Sequence, residues 1–174
     1  KTIPYKGVHA SRGKAIRAEP VSALYERKLV HHVGAFPQLE DQMTSFTPDF
    51  NREEAGYSPD RLDALVWAIT ELVIDAGDTV MTADDGVVIS SIPIPRHYRR
   101  VFGLDITRKT ISVIWGAHDA HANKVYLFAE YVAKRSNMAV HSSAIMDKGG
   151  WIPGIFEPEA RSRSRFIIAL ASSG

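Results

Sequence analysis

The chain has 174 residues, of which 45% are hydrophobic and 24% are charged, a balance typical of one soluble globular domain. It has no cysteine, which excludes disulfides and thiolate metal sites, and its formal net charge of +1 gives no overall preference for nucleic acid. No apolar run reaches the ~18 residues of a membrane helix and no signal peptide is visible, so we expect a cytoplasmic protein.

The first third of the chain alternates short strands and helices. The pattern predicts an edge strand over 2–10, a helix over 19–27, a strand over 29–33 and a helix over 37–46. Pro20 is expected at the first position of its helix, where no backbone donor is needed. His31 and His32 are adjacent on a strand and therefore face opposite sides, so we expect one to be buried and the other exposed.

A longer helix is predicted from Ser58 to Val73. Ser58 is a favoured N-cap, and Pro59 suits the first helical position. Apolar residues then recur at three- and four-residue steps and form one stripe: Leu62, Leu65, Val66, Ile69, Leu72 and Val73. Asp60 and Asp63 project from the first turns and are candidate ligands for a divalent metal. Asp60 is explained equally well as a charge that complements the helix dipole.

The second half of the chain begins after a connection over 76–100. It predicts an antiparallel meander of strands over 101–106, 111–117 and 124–131, then a helix over 140–148 and a strand over 151–156 that is followed by Glu157. Asp105 lies inside an otherwise apolar strand. Burying that carboxylate is costly unless it is paired or bound to a metal.

Residues 11–72 resemble the C-terminal part of a phage terminase large-subunit nuclease domain. The resemblance is carried by Ser-Arg-Gly-Lys-Ala-Ile-Arg from residue 11, by His31-His32-Val33-Gly34 and by Ser58 to Ala68. It implies an RNase H-like fold that cuts DNA with a metal held by acidic residues. The family takes its last acid from the start of the final helix, which by resemblance is Asp63, with Asp60 as the close second.

The second half resembles the beginning of the same nuclease domain. Phe102-Gly103-Leu104-Asp105 and the stretch from Gly150 to Pro158 stand in family order. By resemblance Asp105 is the acid of the first strand, and Glu157 stands where the family has its second acid. The Glu157-Pro158 pair departs from the Asp-Pro of the family, and a longer side chain would shift the metal.

The two halves are in the reverse of the family order. Residues 1–75 carry the end of the nuclease domain and residues 101–174 carry its beginning, with one crossing helix missing. We expect both to build one compact α/β domain with an RNase H-like mixed sheet and flanking helices. A circularly permuted or fused domain and a truncated, decayed prophage gene both explain this order.

The resemblance implies a metal-dependent DNA endonuclease domain of a phage packaging terminase, which hydrolyses phosphodiester bonds with two Mg²⁺ or Mn²⁺ ions. No Gly-x-x-x-x-Gly-Lys motif is present for an ATPase. The expected partners are double-stranded DNA, the terminase small subunit and the portal, with no membrane. Basic residues proposed to contact DNA are Arg12, Lys14, Arg161 and Arg163. The alternatives are an inactive prophage remnant that keeps the fold and another RNase H-like enzyme such as a resolvase or transposase.

Overall fold

A mixed β-sheet is the centre of the structure, which is a computed structural model that describes residues 3–74 and 87–157, apart from the side chain of Ile74. Seven strands of these residues take part in the sheet, in the spatial order β1-β7-β4-β5-β6-β2-β3. They are β1 (Tyr5–Gly7), β2 (Val30–Val33), β3 (Val88–Ile89), β4 (Arg99–Ile106), β5 (Thr110–Asp119), β6 (Lys124–Lys134) and β7 (Gly154–Phe156).

The three long strands form the antiparallel meander that the sequence predicts. β4 pairs with β5, and β5 pairs with β6 through a register shift between Trp115 and Gly116. Parallel strands extend the meander on both sides, because β7 and then β1 follow β4, while β2 and then β3 follow β6. Strands from before residue 75 therefore lie on both sides of the meander: β1 forms one edge of the sheet, and β2 lies between β6 and the other edge strand, β3.

Helices cover both faces of this sheet. They are α1 (Lys14–Glu26), α2 (Pro37–Ser45), α3 (Arg52–Ala55), α4 (Asp60–Ile69), which continues as a π-helical turn over Thr70–Ile74, and α5 (Met138–Gly149). α4 lies across β4 and β5, as its apolar stripe predicts. The mixed sheet with flanking helices confirms the predicted α/β, RNase H-like fold class.

Two apolar cores result, one on each face of the sheet. α1, α2 and α4 pack over Val101, Ile114 and Ile155 on the first face. α5 packs over Phe102 and Trp115 on the second face, together with other residues of β4, β5 and β7. Because side chains alternate along a strand, Gly103 and Asp105 of β4 belong to the face that α4 covers.

Two local predictions were wrong. Pro20 lies inside α1 rather than at its start, because the helix already begins at Lys14, and the exposed position of Pro20 leaves its ring on the solvent side. His31 and His32 are both buried, at 1% and 0% exposure. β2 is paired on both edges and covered on both faces, so a histidine pointing either way is enclosed.

The start of α4 also differs from the prediction. Ser58 provides no cap, and the N-cap residue is Pro59. The orphan N–H groups of Arg61 and Leu62 instead donate to the side-chain carbonyl oxygen of Gln42 in α2, at 3.1 and 3.3 Å. A cap supplied from another helix cannot be recognised in a local sequence pattern.

In the described part of the chain, no helix combines the length and the apolar character that crossing a membrane requires.

Candidate active site

The first turn of α4 carries two buried carboxylates. Asp60 and Asp63 are 7% and 6% exposed, on a helix whose remaining residues pack against β4 and β5. Partial positive charge at the helix N-terminus stabilises negative charge at these positions. Burial disfavours the ionised form, so each carboxylate needs a partner that supplies positive charge or donors.

Asp63 finds its partners in α1. The ammonium of Lys14 contacts Oδ2, and Arg17 Nη2 lies 3.4 Å from Oδ1. The guanidinium of Arg17 is held over the ring of Trp67, 4.4 Å from the ring centroid. Burial raises the pKa of the Asp63 carboxyl, and the charges of Lys14 and Arg17 offset this effect only in part. Asp63 is therefore a buried acid that an additional cation would stabilise.

Asp60 is less completely satisfied. Its Oδ2 accepts a hydrogen bond from the Thr110 hydroxyl, which lies at the start of β5. Its Oδ1 is buried and has no hydrogen-bond partner among the described residues, and the same holds for Ser112 Oγ two residues further along β5. Unpaired buried oxygens of this kind are rare and call for a ligand, an ion or water.

Asp105 lies on the sheet face that α4 covers. It is opposite Ser112 in the β4–β5 register, two residues after Gly103, where the backbone of α4 touches the sheet. Because Asp60 reaches Thr110 beyond this point, the first turn of α4 lies over the same end of the strands as Asp105. The side chain of Asp105 is half-buried and engaged in the fold.

Glu157 comes directly after β7. Leu104 is opposite Phe156 in the parallel β4–β7 register, so Asp105 and Glu157 follow this pair on neighbouring strands. Alternation puts Glu157 on the face of Ile155, which belongs to the core under α4. Glu157 Oε1 also accepts a hydrogen bond of 2.9 Å from the backbone N–H of Ala10.

The four predicted acids thus come from three elements on one sheet face, but they do not form a gathered metal site. Within residues 3–74 and 87–157, no three Asp, Glu or His side chains are close enough together to hold one ion. Asp60 and Asp63 are near neighbours, since the charge of Asp60 contributes to the raised pKa of Asp63. The cation that Asp63 meets in this structure is Lys14.

The predicted DNA contacts are only partly described. Lys14 is committed to Asp63, and Arg12 is exposed just before α1. Arg161 and Arg163 lie outside the described residues. The sequence groups Arg17 with Arg12 and Lys14 as a basic cluster that could neutralise phosphates, but it did not predict the pairing of Arg17 with Asp63.

Sequence reasoning also missed an open cleft of about 680 Å³ beside the first turn of α4, which we call the Asp60 cleft. Its charged lining residues are Arg52, Glu53, Asp60, Arg61, Arg108 and Lys109. The cleft is bounded by α3, by the start of α4 and by the turn between β4 and β5, three elements far apart in sequence.

Comparison with known proteins gives a family match over the first part of the chain. No curated protein matches the chain, and neither does any solved structure. Residues 1–72, which include α1 and α4 with Asp60 and Asp63, match the family model of the terminase RNaseH-like domain. That match confirms the resemblance found over residues 11–72 and supports a terminase nuclease-like domain in this chain.

Proposed function

We propose that this chain is a metal-dependent endonuclease domain of a phage DNA-packaging terminase, which hydrolyses phosphodiester bonds of double-stranded DNA in the host cytoplasm. The observation that carries the proposal is the buried pair Asp60 and Asp63, with an unpaired oxygen on Asp60, on the sheet face that also bears Asp105 and Glu157. We propose further that the halves 1–75 and 101–174, which share the sheet, rebuild one permuted nuclease domain.

The donor chemistry fits a hard divalent ion. Carboxylate oxygens are the ligands that Mg²⁺ and Mn²⁺ prefer, and the buried Oδ1 of Asp60 is an acceptor with no hydrogen-bond partner among the described residues. The residues that would hold Mg²⁺ or Mn²⁺ are Asp105, Glu157, Asp63 and Asp60. Two such ions, when bound, supply the positive charge that activates water and stabilises the leaving oxygen.

The chain's own residues have distinct parts in this proposal. Asp63 keeps its carboxylate ionised with the help of Arg17, whose position is fixed by Trp67. Lys14 neutralises Asp63 in the metal-free protein and would have to give up this contact for Asp63 to hold an ion. Thr110 orients Asp60 by donating to Oδ2, so that Oδ1 would be the oxygen available to hold an ion. The small subunit and the portal are the proposed protein partners.

An inactive remnant is the second candidate, because one observation favours it. No three acids are gathered for a metal among the described residues, and Lys14 already satisfies Asp63. A chain that keeps the fold but has lost the chemistry would show both features.

Cleavage of supercoiled plasmid with Mn²⁺ or Mg²⁺, compared with Ca²⁺ and with EDTA, separates the two candidates. The nuclease nicks or linearises the plasmid only with the first two ions, and Asp105→Ala combined with Asp63→Asn abolishes the activity. A correctly folded wild-type protein that leaves the plasmid intact establishes the remnant. Cleavage of a four-way junction in preference to linear duplex would instead identify a resolvase.

A further inference from the structure

The Asp60 cleft has basic side chains at its opening. Arg52 in α3, and Arg108 and Lys109 in the turn between β4 and β5, are all exposed and line the cleft. Their cationic groups make no hydrogen bond or ion pair with any residue in 3–74 or 87–157. These three unpaired cations therefore stand around one concave surface.

Several other basic side chains near the site are already engaged. Lys14 and Arg17 pair with Asp63. Arg61, which also lines the Asp60 cleft, bonds to Gln38 and lies 3.6 Å from a carboxylate oxygen of Glu130. A basic residue held by an acid has its charge satisfied within the fold, whereas Arg52, Arg108 and Lys109 have theirs available to a ligand.

The inner wall of the cleft has the opposite character. Asp60 Oδ1 and Ser112 Oγ are buried there without partners among the described residues, and Ser112 is 1% exposed. Exposed cations at the opening therefore surround unsatisfied oxygen acceptors inside. The three cations suit a ligand that carries spaced negative charges, and one of these charges can lie next to Asp60 only where a divalent cation bridges the two.

We propose that Arg52, Arg108 and Lys109 bind the phosphodiester backbone of duplex DNA and hold one phosphate over Asp60. The part assigned to Asp60 rests on the proposed nuclease function, while the binding of DNA by the three cations does not. Arg52 and Arg108 offer planar guanidinium forks for phosphate oxygens, and Lys109 offers a point charge. Because the contacts are to phosphate, this binding is independent of base sequence.

Fluorescence anisotropy of a labelled DNA duplex in EDTA, over a series of salt concentrations, tests the proposal without any cleavage. Arg108→Ala/Lys109→Ala removes two phosphate contacts, so we expect the slope of log K against log salt to fall by about 1.8. The affinity at 0.1 M salt should drop roughly 60-fold, since each contact releases about one counterion. Arg52→Ala alone should lower the affinity for the duplex about eightfold at the same salt concentration.

The matched control is Arg96→Ala/Lys148→Ala, which removes the same charge from exposed positions away from the cleft. Its affinity should stay within about twofold of wild type, because more distant charges are largely screened at this salt.

Glu53→Gln provides a test of opposite sign: it removes a negative charge from the cleft lining and should tighten binding several-fold. Thermal melts confirm that every variant is folded.

Three results would overturn the proposal. They are a wild-type protein that does not bind the DNA duplex, an Arg108→Ala/Lys109→Ala variant that binds it like wild type, and a control variant that loses as much affinity as that variant does. Inorganic phosphate distinguishes a free anion from a DNA backbone as the ligand. We expect phosphate to compete no better than chloride at equal ionic strength, and strong competition would point to a site for small anions instead. A protein that binds as expected but cuts no DNA refutes only the nuclease.

Discussion

Gly103 in β4 lies directly against the backbone of Ala64 in α4, so that the helix rests on the sheet with no side chain between them. A Cβ added to Gly103 would collide with the Ala64 carbonyl group and stand 2.7 Å from the Ala68 nitrogen. This contact fixes the height of α4 over β4. It thereby fixes how close the carboxylates of the first helical turn come to Asp105, two residues further along the strand.

Gly103→Ala should destabilise the fold strongly, by about 3 kcal/mol or more, because the obstacle is backbone and not a flexible side chain. Urea unfolding followed by circular dichroism measures the change in the free energy of unfolding. Gly150→Ala is the control, since its added Cβ would meet only the side chain of Met146 at ordinary contact distances from 3.6 Å. Equal stability of the two variants would mean that α4 does not sit on β4 as described.

Asp60→Asn should raise thermal stability and lower cleavage in the same protein. In EDTA the substitution removes a buried charge with one unpaired oxygen while keeping an acceptor for Thr110. We expect the melting temperature to rise by about 2–4 °C for each kcal/mol gained. Metal-dependent nicking should fall by more than the roughly 10–100-fold that substitutions outside the ligand shell cost.

The control for Asp60→Asn is Asp147→Asn, an exposed acid on α5, on the far face of the sheet. This variant should change neither the melting temperature nor the rate of metal-dependent nicking. If Asp60→Asn melts below wild type while cutting DNA at the normal rate, Asp60 serves the fold as a helix-dipole partner and not the site.

Lys14→Met should increase the affinity for Mn²⁺. Lys14 places a positive charge on the Asp63 carboxylate, where it competes with any bound cation. Removing it also removes one of the charges that lower the pKa of Asp63, so that pKa should rise further. At pH 7.5 we expect Mn²⁺ to bind about tenfold more tightly, as measured by electron paramagnetic resonance of the free ion.

Arg12→Met is the matched variant for Lys14→Met, because it removes the same charge two residues earlier from an exposed side chain. Its Mn²⁺ affinity should equal that of wild type. If Lys14→Met binds Mn²⁺ no better than Arg12→Met does, Lys14 is not a competitor for the metal, and its original assignment as a DNA contact becomes the better explanation.

Local patterns predicted most of the elements, although not α3 or the start of α1, and they did not predict all of the surroundings of those elements. The stripe from Leu62 to Val73 predicted α4 and its packing on the meander, because that stripe is a property of one segment. The cap supplied by Gln42 and the burial of both His31 and His32 depend on partners from other segments. No periodicity within a single element carries that information.

In the candidate site too, some features follow from one segment of the sequence and others only from contacts between segments. Asp60, Asp63 and Asp105 were found from their unusual positions in apolar elements, since a carboxylate there needs a reason. The engagement of Lys14 and Arg17 with Asp63 follows from how α1 packs, and it is the position of the β4–β5 turn that leaves the cations of Arg108 and Lys109 without a partner among the described residues. Charge counts along the sequence cannot separate satisfied basic residues from available ones.

The stability of the domain should fall as the pH drops below 6.5, because His32 is buried in its neutral form. Its Nδ1–H donates to Glu40 at 2.9 Å, so Nε2 accepts from the Tyr25 hydroxyl at 2.8 Å. Burial lowers the pKa of His32 below 6.5, although Glu40 acts to raise it. The unfolded chain therefore takes up a proton before the folded one does, and acid favours unfolding.

His32→Gln removes this proton uptake and should flatten the dependence of unfolding free energy on pH between about 6.5 and 5. A second decline should begin below 4.5 in wild type, because the hydrogen bond from His32 lowers the pKa of Glu40, and protonating Glu40 loses that bond. Urea unfolding at half-unit steps of pH measures both declines.

The exposed His121 provides the control variant His121→Gln. Burial also lowers the pKa of His141, so wild type and both variants should keep a residual slope of unfolding free energy against pH. If His32→Gln and His121→Gln give the same pH profile, the Tyr25–His32–Glu40 chain does not couple folding to pH.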